Sequence, residues 1–313
     1  MMWEAIIFAA CVVAALFLLY MWRTAKKLVL ETVVISPDAG AQAASPATGI
    51  AAAATAATAA AASPDGRLRV VQLSDVHLHM KCAPVEKIVA MARGANPHVV
   101  ILTGDYLEKA SDAGRFLEFM ADLTSAVARG DTGAGAEPGP RCKTAVLLCF
   151  GNHDNGVFEK SPDLKRGLVK NLKRLGVQVM ENRSAAYGHN GKTYAFTGYS
   201  DFYTSPPSPG ILRHGAQKGA AFHVGFSHNP DLALELKGPS PDLFICGHFH
   251  GGQIWLPFGI EYTSLRKERL CKMGIRRGLY EFGGRRVYIS RGVGCVMFPL
   301  RLGSRPEITL FLI

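Results

Sequence analysis

No C-x-x-C pair occurs among the seven cysteines, at positions 11, 82, 142, 149, 246, 271 and 295, so no zinc-finger spacing is present. Their number is odd and Cys11 falls in an apolar run. A disulfide framework therefore does not fit, and reduced thiols in the cytosol are the simplest expectation. Charged residues make up only 19% of the chain. They do not interleave with aromatics as in a nucleic-acid module, so no nucleic-acid partner is expected. Basic residues are also missing ahead of the first apolar run, where only Met1, Met2, Trp3 and Glu4 stand. A cleaved signal peptide would carry positive charge there.

What the chain does have begins with that run. Residues 5–22 are unbroken apolar sequence, spanning roughly 27 Å as a helix, about the thickness of a bilayer core. Trp3 lies at one end and Tyr20 and Trp22 at the other, where an aromatic belt would place them. Arg23, Lys26 and Lys27 follow, so the positive-inside rule puts the rest of the chain in the cytoplasm. Residues 1–27 are read as a retained single-pass anchor in the inner (cytoplasmic) membrane. Residues 28–66 are expected to be a linker, with 28–35 a short helix or strand leaving the membrane. Its Ala-rich remainder is interrupted by Pro46, Gly49 and Pro64 and has no amphipathic face. Residues 67–313 then suffice for one catalytic domain.

Within that domain, short apolar runs rich in Val, Ile and Phe recur at 68–73, 99–102, 145–150, 221–226, 243–246 and 287–289. They read as buried strands. Helical patterns at 84–93, 112–129 and 162–175 alternate with the early ones, which predicts an α/β domain. Fewer helices later on predict a mixed sheet, closed by a last strand over 306–313. Residues 130–140 read as a surface loop.

Strand after strand ends in the same chemistry: Ser74-Asp75-Val76-His77, Thr103-Gly104-Asp105, Gly151-Asn152-His153-Asp154, Ser227-His228-Asn229-Pro230 and Gly247-His248-Phe249-His250-Gly251-Gly252-Gln253. In open α/β sheets the carboxyl ends of strands form the ligand crevice, so these five clusters should converge. Asp75 and His77, like His248 and His250, are two apart; on extended backbone each pair points to one side and can grip a metal. The ligands are His, Asp and Asn with no thiolate, which suits Mn, Fe, Zn or Co better than Ca. Each motif alone is commonly a turn, whereas their ordered recurrence at strand ends is not a coincidence of turns.

The series D-x-H, G-D, G-N-H-D, H and G-H-x-H resembles the calcineurin-like metallophosphoesterases from residue 67 to the end. That resemblance implies an α/β fold with a two-layer mixed β-sheet sandwich flanked by helices, and two divalent metal ions, manganese by preference. Carried over, Asp75, His77 and His250 would hold one metal. Asn152, His228 and His248 would hold the second, and Asp105 would bridge them. His153 would contact the phosphate or leaving group, oriented by Asp154. The run from His248 to Gln253, with Arg291-Gly292-Val293-Gly294 and Arg301 to Glu307 downstream, is similar to the membrane-associated bacterial branch. That branch includes the chlamydial-type UDP-2,3-diacylglucosamine diphosphatase of lipid A synthesis. Phe249 stands where Thr is more usual and is expected to point away from the metals.

The resemblance thus implies hydrolysis of a phosphodiester or pyrophosphate in a phosphorylated, lipid-linked nucleotide substrate at the membrane. A phosphodiesterase acting on soluble esters is the alternative, and a non-catalytic scaffold the remote one. The net charge of +10 is concentrated late: residues 260–313 hold eleven Lys or Arg against four acids. Residues 256–282, mixing aromatics with basic residues, suit either a membrane surface or a solvated hairpin. His79 reads as a surface histidine, Asn229 as a turn former or substrate contact, Arg291 as a possible phosphate ligand, and 199–215 as a bordering loop.

Overall fold

A computed structural model describes residues 2–35, 66–80, 82–128, 144–212, 219–236, 241–264, 266–282 and 285–313. The apolar N-terminal run is a helix, α1 (Met2–Ala25), long and apolar enough to cross a membrane. It is exposed as far as Tyr20, and its foot, at Met21, Thr24 and Ala25, is buried against the domain.

The strands in chain order are β1 (Val29–Val34), β2 (Arg69–Leu73), β3 (Val99–Thr103), β4 (Ala145–Cys149), β5 (Val177–Val179), β6 (Arg183–His189), β7 (Lys192–Gly198), β8 (Phe222–Phe226), β9 (Leu243–Cys246), β10 (Gly278–Phe282), β11 (Arg285–Ile289) and β12 (Glu307–Leu312). They form two mixed six-stranded sheets, ordered β1-β12-β2-β3-β4-β5 and β10-β11-β9-β8-β7-β6. Strands β2 to β5 run parallel, as do β7, β8, β9 and β11, while β12, β6 and β10 each add an antiparallel pairing.

Strand alternation explains the layering. Val70, Val99, Ile101 and Leu147 face the second sheet and pack with Phe196, Val224, Phe226, Leu243 and Ile245. Their neighbours Val71, Val100, Leu102 and Leu148 face the other way, onto helices α2 (Val85–Gly94), α3 (Ala113–Ala128) and α5 (Pro162–Arg174) through Ile88, Phe116, Leu123 and Leu172. The outer face of the second sheet carries Phe244, Cys246, Val287 and Ile289 under Tyr199, Tyr262 and Leu270. The central strands are thus apolar on both faces, which is why they read as continuous runs.

The six sequence-predicted strands, the three helices and the closing strand all form. The hairpin β6–β7 and helix α4 (Asn152–Lys160) were not anticipated. Two expectations are corrected. The segment from residue 28 does not begin a linker, because β1 pairs in parallel with β12 and Glu31 forms an ion pair with Arg291 at 3.0 Å. Backbone pairing along an edge strand outweighs the freedom of a tether; residues 36–65 lie outside the described residues. The cysteines are not all free thiols: Cys82 and Cys295, 213 residues apart, form a disulfide beside the foot of α1, where Ala25 packs on them. Sequence spacing could not show this pairing, since only the fold brings them together. The loop expected over 130–140 also lies outside the described residues.

Candidate metal centre

The parallel strands β2, β3, β4, β8 and β9 all release their chemistry at their carboxyl ends, and the two sheets are stitched there. Gln72 Nε2 on β2 donates to the Cys246 carbonyl at 3.0 Å, and His228 Nδ1 lies 2.8 Å from the Thr103 carbonyl. Three clusters result. Asp75, His77 and His250 form one, Asp105, His228 and His248 a second, and His77, Glu108 and His153 a third, with the ligand atoms of each within 4.8 Å of one another.

Asp105 is the hinge between them. Its Oδ2 lies 3.0 Å from His228 Nε2, 3.8 Å from His77 Nε2 and 4.0 Å from His153 Nε2. His77 Nε2 in turn sits 3.2 Å from His250 Nε2, which is 3.4 Å from Asp75 Oδ1. His228 Nε2 is 3.1 Å from His248 Nδ1.

The outward contacts decide where the ring protons lie. The Thr103 carbonyl accepts a hydrogen bond from His228 Nδ1, Glu108 accepts one from His77 Nδ1 at 2.5 Å, and Glu268 accepts one from His248 Nε2 at 2.6 Å. In a neutral ring the opposite nitrogen is then a lone pair. Lone pairs of His228 and His248 therefore converge on the Asp105 carboxylate with no proton among them, an arrangement that a cation stabilises. Asn152 Oδ1 is also buried and has no hydrogen-bond partner among the described residues. The donor set thus fits divalent metals. Without them, protons would have to substitute. Burial disfavours charge on His228, yet Asp105 pushes its pKa up to about 10. Burial likewise opposes ionisation of Asp105, but His228, His77 and His153 hold its carboxyl well below the usual range.

The route by which these side chains meet differs from strand alternation. Asp75, His77, Asp105, His248 and His250 all have positive φ, between 40° and 72°. Left-handed backbone is uncommon away from glycine and concentrates at functional sites. His248 and His250 consequently fall into different clusters. Glycines make room: at Gly104 (φ +93°) a Cβ would meet His228 Nδ1 at 2.7 Å, and at Gly247 it would strike Ser74 and Asp75.

Asp154 does not orient His153. Its buried carboxylate accepts four backbone N–H groups, from Asp105, Tyr106, Leu107 and Gly151, each at 2.9 Å. It clamps the turn that carries Asp105 to the turn that carries His153. Glu108 takes the expected orienting place: Oε1 holds His77 and Oε2 holds His153 Nδ1 at 2.9 Å, so the Nε2 atoms of both rings are turned towards Asp105. Burial would raise the Glu108 carboxyl, but these two histidines hold it at about 2. Sequence reading overlooked Glu108, although an acid three residues after the G-D aspartate was a usable signal. It also overlooked Glu268, for which no motif exists.

Other candidates resolve into structural roles. Arg291 is held by Glu307 and Glu31. Asn229 caps a turn by accepting from Asp231 N at 3.0 Å. His79 is half-buried, with its Nδ1 3.6 Å from the buried Asp112. Phe249 is fully buried in the outer core, its ring centroid 5.7 Å from that of His248.

With this geometry in view, comparison with known proteins places the chain. Residues 68–252 match the calcineurin-like phosphoesterase family, and the chain belongs to it. It is similar to the uncharacterized metallophosphoesterase YkoQ of Bacillus subtilis, 27% identical over 244 residues, covering 78% of this chain and 82% of the relative. It resembles the phosphodiesterase YaeI of Escherichia coli, 27% identical with 77% and 80% covered. It is also similar to the UDP-2,3-diacylglucosamine pyrophosphatase LpxG of Chlamydia trachomatis, 25% identical with 78% and 82% covered. The chain is therefore a metal-dependent phosphoric ester or pyrophosphate hydrolase.

Two outcomes follow from the clamps. Asp154→Asn replaces an acceptor oxygen by a donor and leaves two buried N–H groups unpaired. Unfolding free energy should fall by about 3 kcal/mol, at roughly 1–3 kcal/mol per group; denaturation matching the unsubstituted chain would show that the clamp is dispensable. Glu268→Gln should weaken retention of divalent metal about 10- to 100-fold, read by metal content after dialysis. Unchanged content would mean that His248 needs no carboxylate behind it.

Proposed function

We propose that the chain hydrolyses a phosphodiester or pyrophosphate bond in a membrane-embedded, lipid-linked nucleotide, with UDP-2,3-diacylglucosamine as the substrate. The observation that carries the hydrolytic part is the position of Asp105 Oδ2 between the Nε2 atoms of His228, His77 and His153. The relationship to LpxG and the apolar helix α1 support the choice of substrate.

Asp75, His77 and His250 would hold one metal, and Asn152, His228 and His248 a second, with Asp105 shared; manganese is the preferred ion. Two bound divalent cations would supply Lewis-acid charge and an activated water for an in-line displacement. The residues do the rest. Glu108 fixes the His77 and His153 rings through their Nδ1 atoms. Burial opposes charge on His153, but Glu108 and Asp105 raise its pKa to about 9. With Nδ1 held by Glu108, Nε2 is the atom from which the ring can offer a proton to a leaving oxygen. Asp154 keeps the turns of Asp105 and His153 in register. With this substrate, water splits the pyrophosphate, UMP leaves and the acylated sugar retains its phosphate. Residues 1–27 serve as the anchor and the remainder, from β1 and from residue 67 onward, as the catalytic domain.

The domain faces the cytoplasm in this proposal, on the strength of Arg23, Lys26 and Lys27. The Cys82–Cys295 disulfide favours the opposite side, since such bonds persist in oxidising compartments. Reporter fusions at the C-terminus should be active only on the cytoplasmic side; activity in the oxidising compartment would reverse the assignment.

The activity is tested on the full chain in detergent with Mn²⁺ and UDP-2,3-diacylglucosamine. UMP release is expected, reduced about 10²- to 10⁴-fold in His153→Ala and abolished in Asp105→Ala. Metal-dependent cleavage of a generic diester without UMP release would keep the chemistry and discard the lipid substrate. Turnover undiminished in Asp105→Ala would overturn the site.

A further inference from the structure

The foot of α1 and the metal centre are joined by a ledge that the hydrolytic reading leaves unused. Arg301 N donates to the Met21 carbonyl at 3.2 Å, tying the residue 296–302 loop to the point where α1 enters the domain. Gln253, the last residue of the H-F-H-G-G-Q run, grips the same loop. Its Nε2 donates to the Val296 and Phe298 carbonyls at 2.9 and 3.2 Å, and its Oε1 accepts from Val296 N at 2.8 Å. Trp255 N and the Leu302 carbonyl, 3.1 Å apart, continue the contact towards residues 254–260. Arg301, fully buried, also donates to the carbonyl of His250 at 3.3 Å. The ledge is thus one hydrogen bond from α1 and one from a candidate metal ligand.

Its outer surface is apolar. Phe258 is 97% exposed, Met297 72% and Phe298 56%, with Trp255, Leu256 and Ile260 beside them. Single exposed apolar residues mean little, but a contiguous group marks an interaction surface. Phe258 and Met297 moreover have φ of 60° and 62°, a backbone state that costs bulky residues energy and persists only where the surroundings impose it. Behind the tips, Arg277 stacks over Trp255 at 3.8 Å and Arg276 over Tyr262 at 4.5 Å, around a hollow of about 490 Å³. Basic and aromatic residues around apolar tips match the headgroup region of an anionic membrane. At the foot of α1, Lys26 lies 3.5 Å over the Trp22 ring.

We propose that this ledge docks on the lipid bilayer that α1 spans, with Phe258, Met297 and Phe298 inserted among the acyl chains and Arg276 and Arg277 at anionic headgroups. This rests on the reading of α1 as an anchor, and continuity with that helix selects the bilayer as the occupant. The ledge holds the domain against the membrane instead of letting it swing on its foot. Residues 250–255 then run from the metal centre to the lipid surface, so an amphiphilic substrate can stay in the bilayer while its phosphates reach the site.

The full chain in nanodiscs with anionic lipid tests this through single environment-sensitive labels. Phe258→Cys and Met297→Cys are labelled in a background lacking Cys11 and Cys142, with Arg166→Cys on α5 as the solvent reference; in a separate sample lacking only Cys142, native Cys11 reports on α1. Labels at 258 and 297 should emit to the blue of the label at 166 and be quenched by nitroxide-bearing lipids. The label at 166 should respond only to aqueous iodide. If Cys11 is quenched by lipid but 258 and 297 behave like 166, the ledge is refuted and the anchor stands. If Cys11 is also unquenched, both fall. UMP release is read separately, so neither result depends on the substrate assignment.

Discussion

A buried carboxylate at the seam of two sheets is the constraint around which the structure is arranged. Asp105 has almost no contact with solvent, and an isolated ionised carboxylate there would be very costly. The cost is offset by imidazole nitrogens from three directions, His228, His77 and His153. The rings of His228 and His77 can turn lone pairs inward as ligands only if the proton of each neutral ring lies on the far side. The Thr103 carbonyl and Glu108 supply the acceptors that put them there, and Glu268 does the same for His248. Inward lone pairs and outward acceptors are thus one design, and divalent metals complete it.

Holding such a group in place requires backbone that ordinary loops avoid. Five of the seven proposed ligands have positive φ, and the surrounding structure must impose that conformation. Part of the restraint is Asp154, whose four N–H partners lock the Asp105 and His153 turns together. Part is Arg301, a buried guanidinium that donates to carbonyls of His250, Arg291 and Gly292. A buried cation encircled by carbonyl dipoles is tolerable because nearly every donor finds an acceptor. It ties one candidate ligand's backbone to the loops beside it.

The same loops reach the foot of α1, so the candidate metal centre and the apolar helix share a scaffold. β1 starts four residues after α1 ends and pairs with β12, which leaves little slack between helix and domain. The Glu31–Arg291–Glu307 ion pairs and the Cys82–Cys295 link add further ties on that side. A flexible tether would decouple the apolar helix from the candidate site; this arrangement couples them.

The central strands were legible from the sequence because strands buried on both faces are largely apolar, and β2, β3, β4, β8 and β9 are, with buried polar exceptions such as Gln72 and His223. The ligand candidates were legible because each directly follows such a strand, and parallel order brings strand ends together. Other features depend on contacts between residues distant in sequence, and no local pattern encodes those. Asp154 was misread because G-N-H-D places it next to His153 in sequence, whereas in space its oxygens face the Asp105 turn. Glu268, 20 residues beyond His248, and Cys82 with Cys295 became partners only when the loops closed. The amino-acid order by itself determined the strand set, the apolar helix and the inventory of metal-binding side chains, because burial and residue chemistry are local properties. Only the tertiary structure decided which acid orients which histidine, which cysteines meet and which apolar tips stay uncovered, because those follow from packing two sheets face to face in three dimensions.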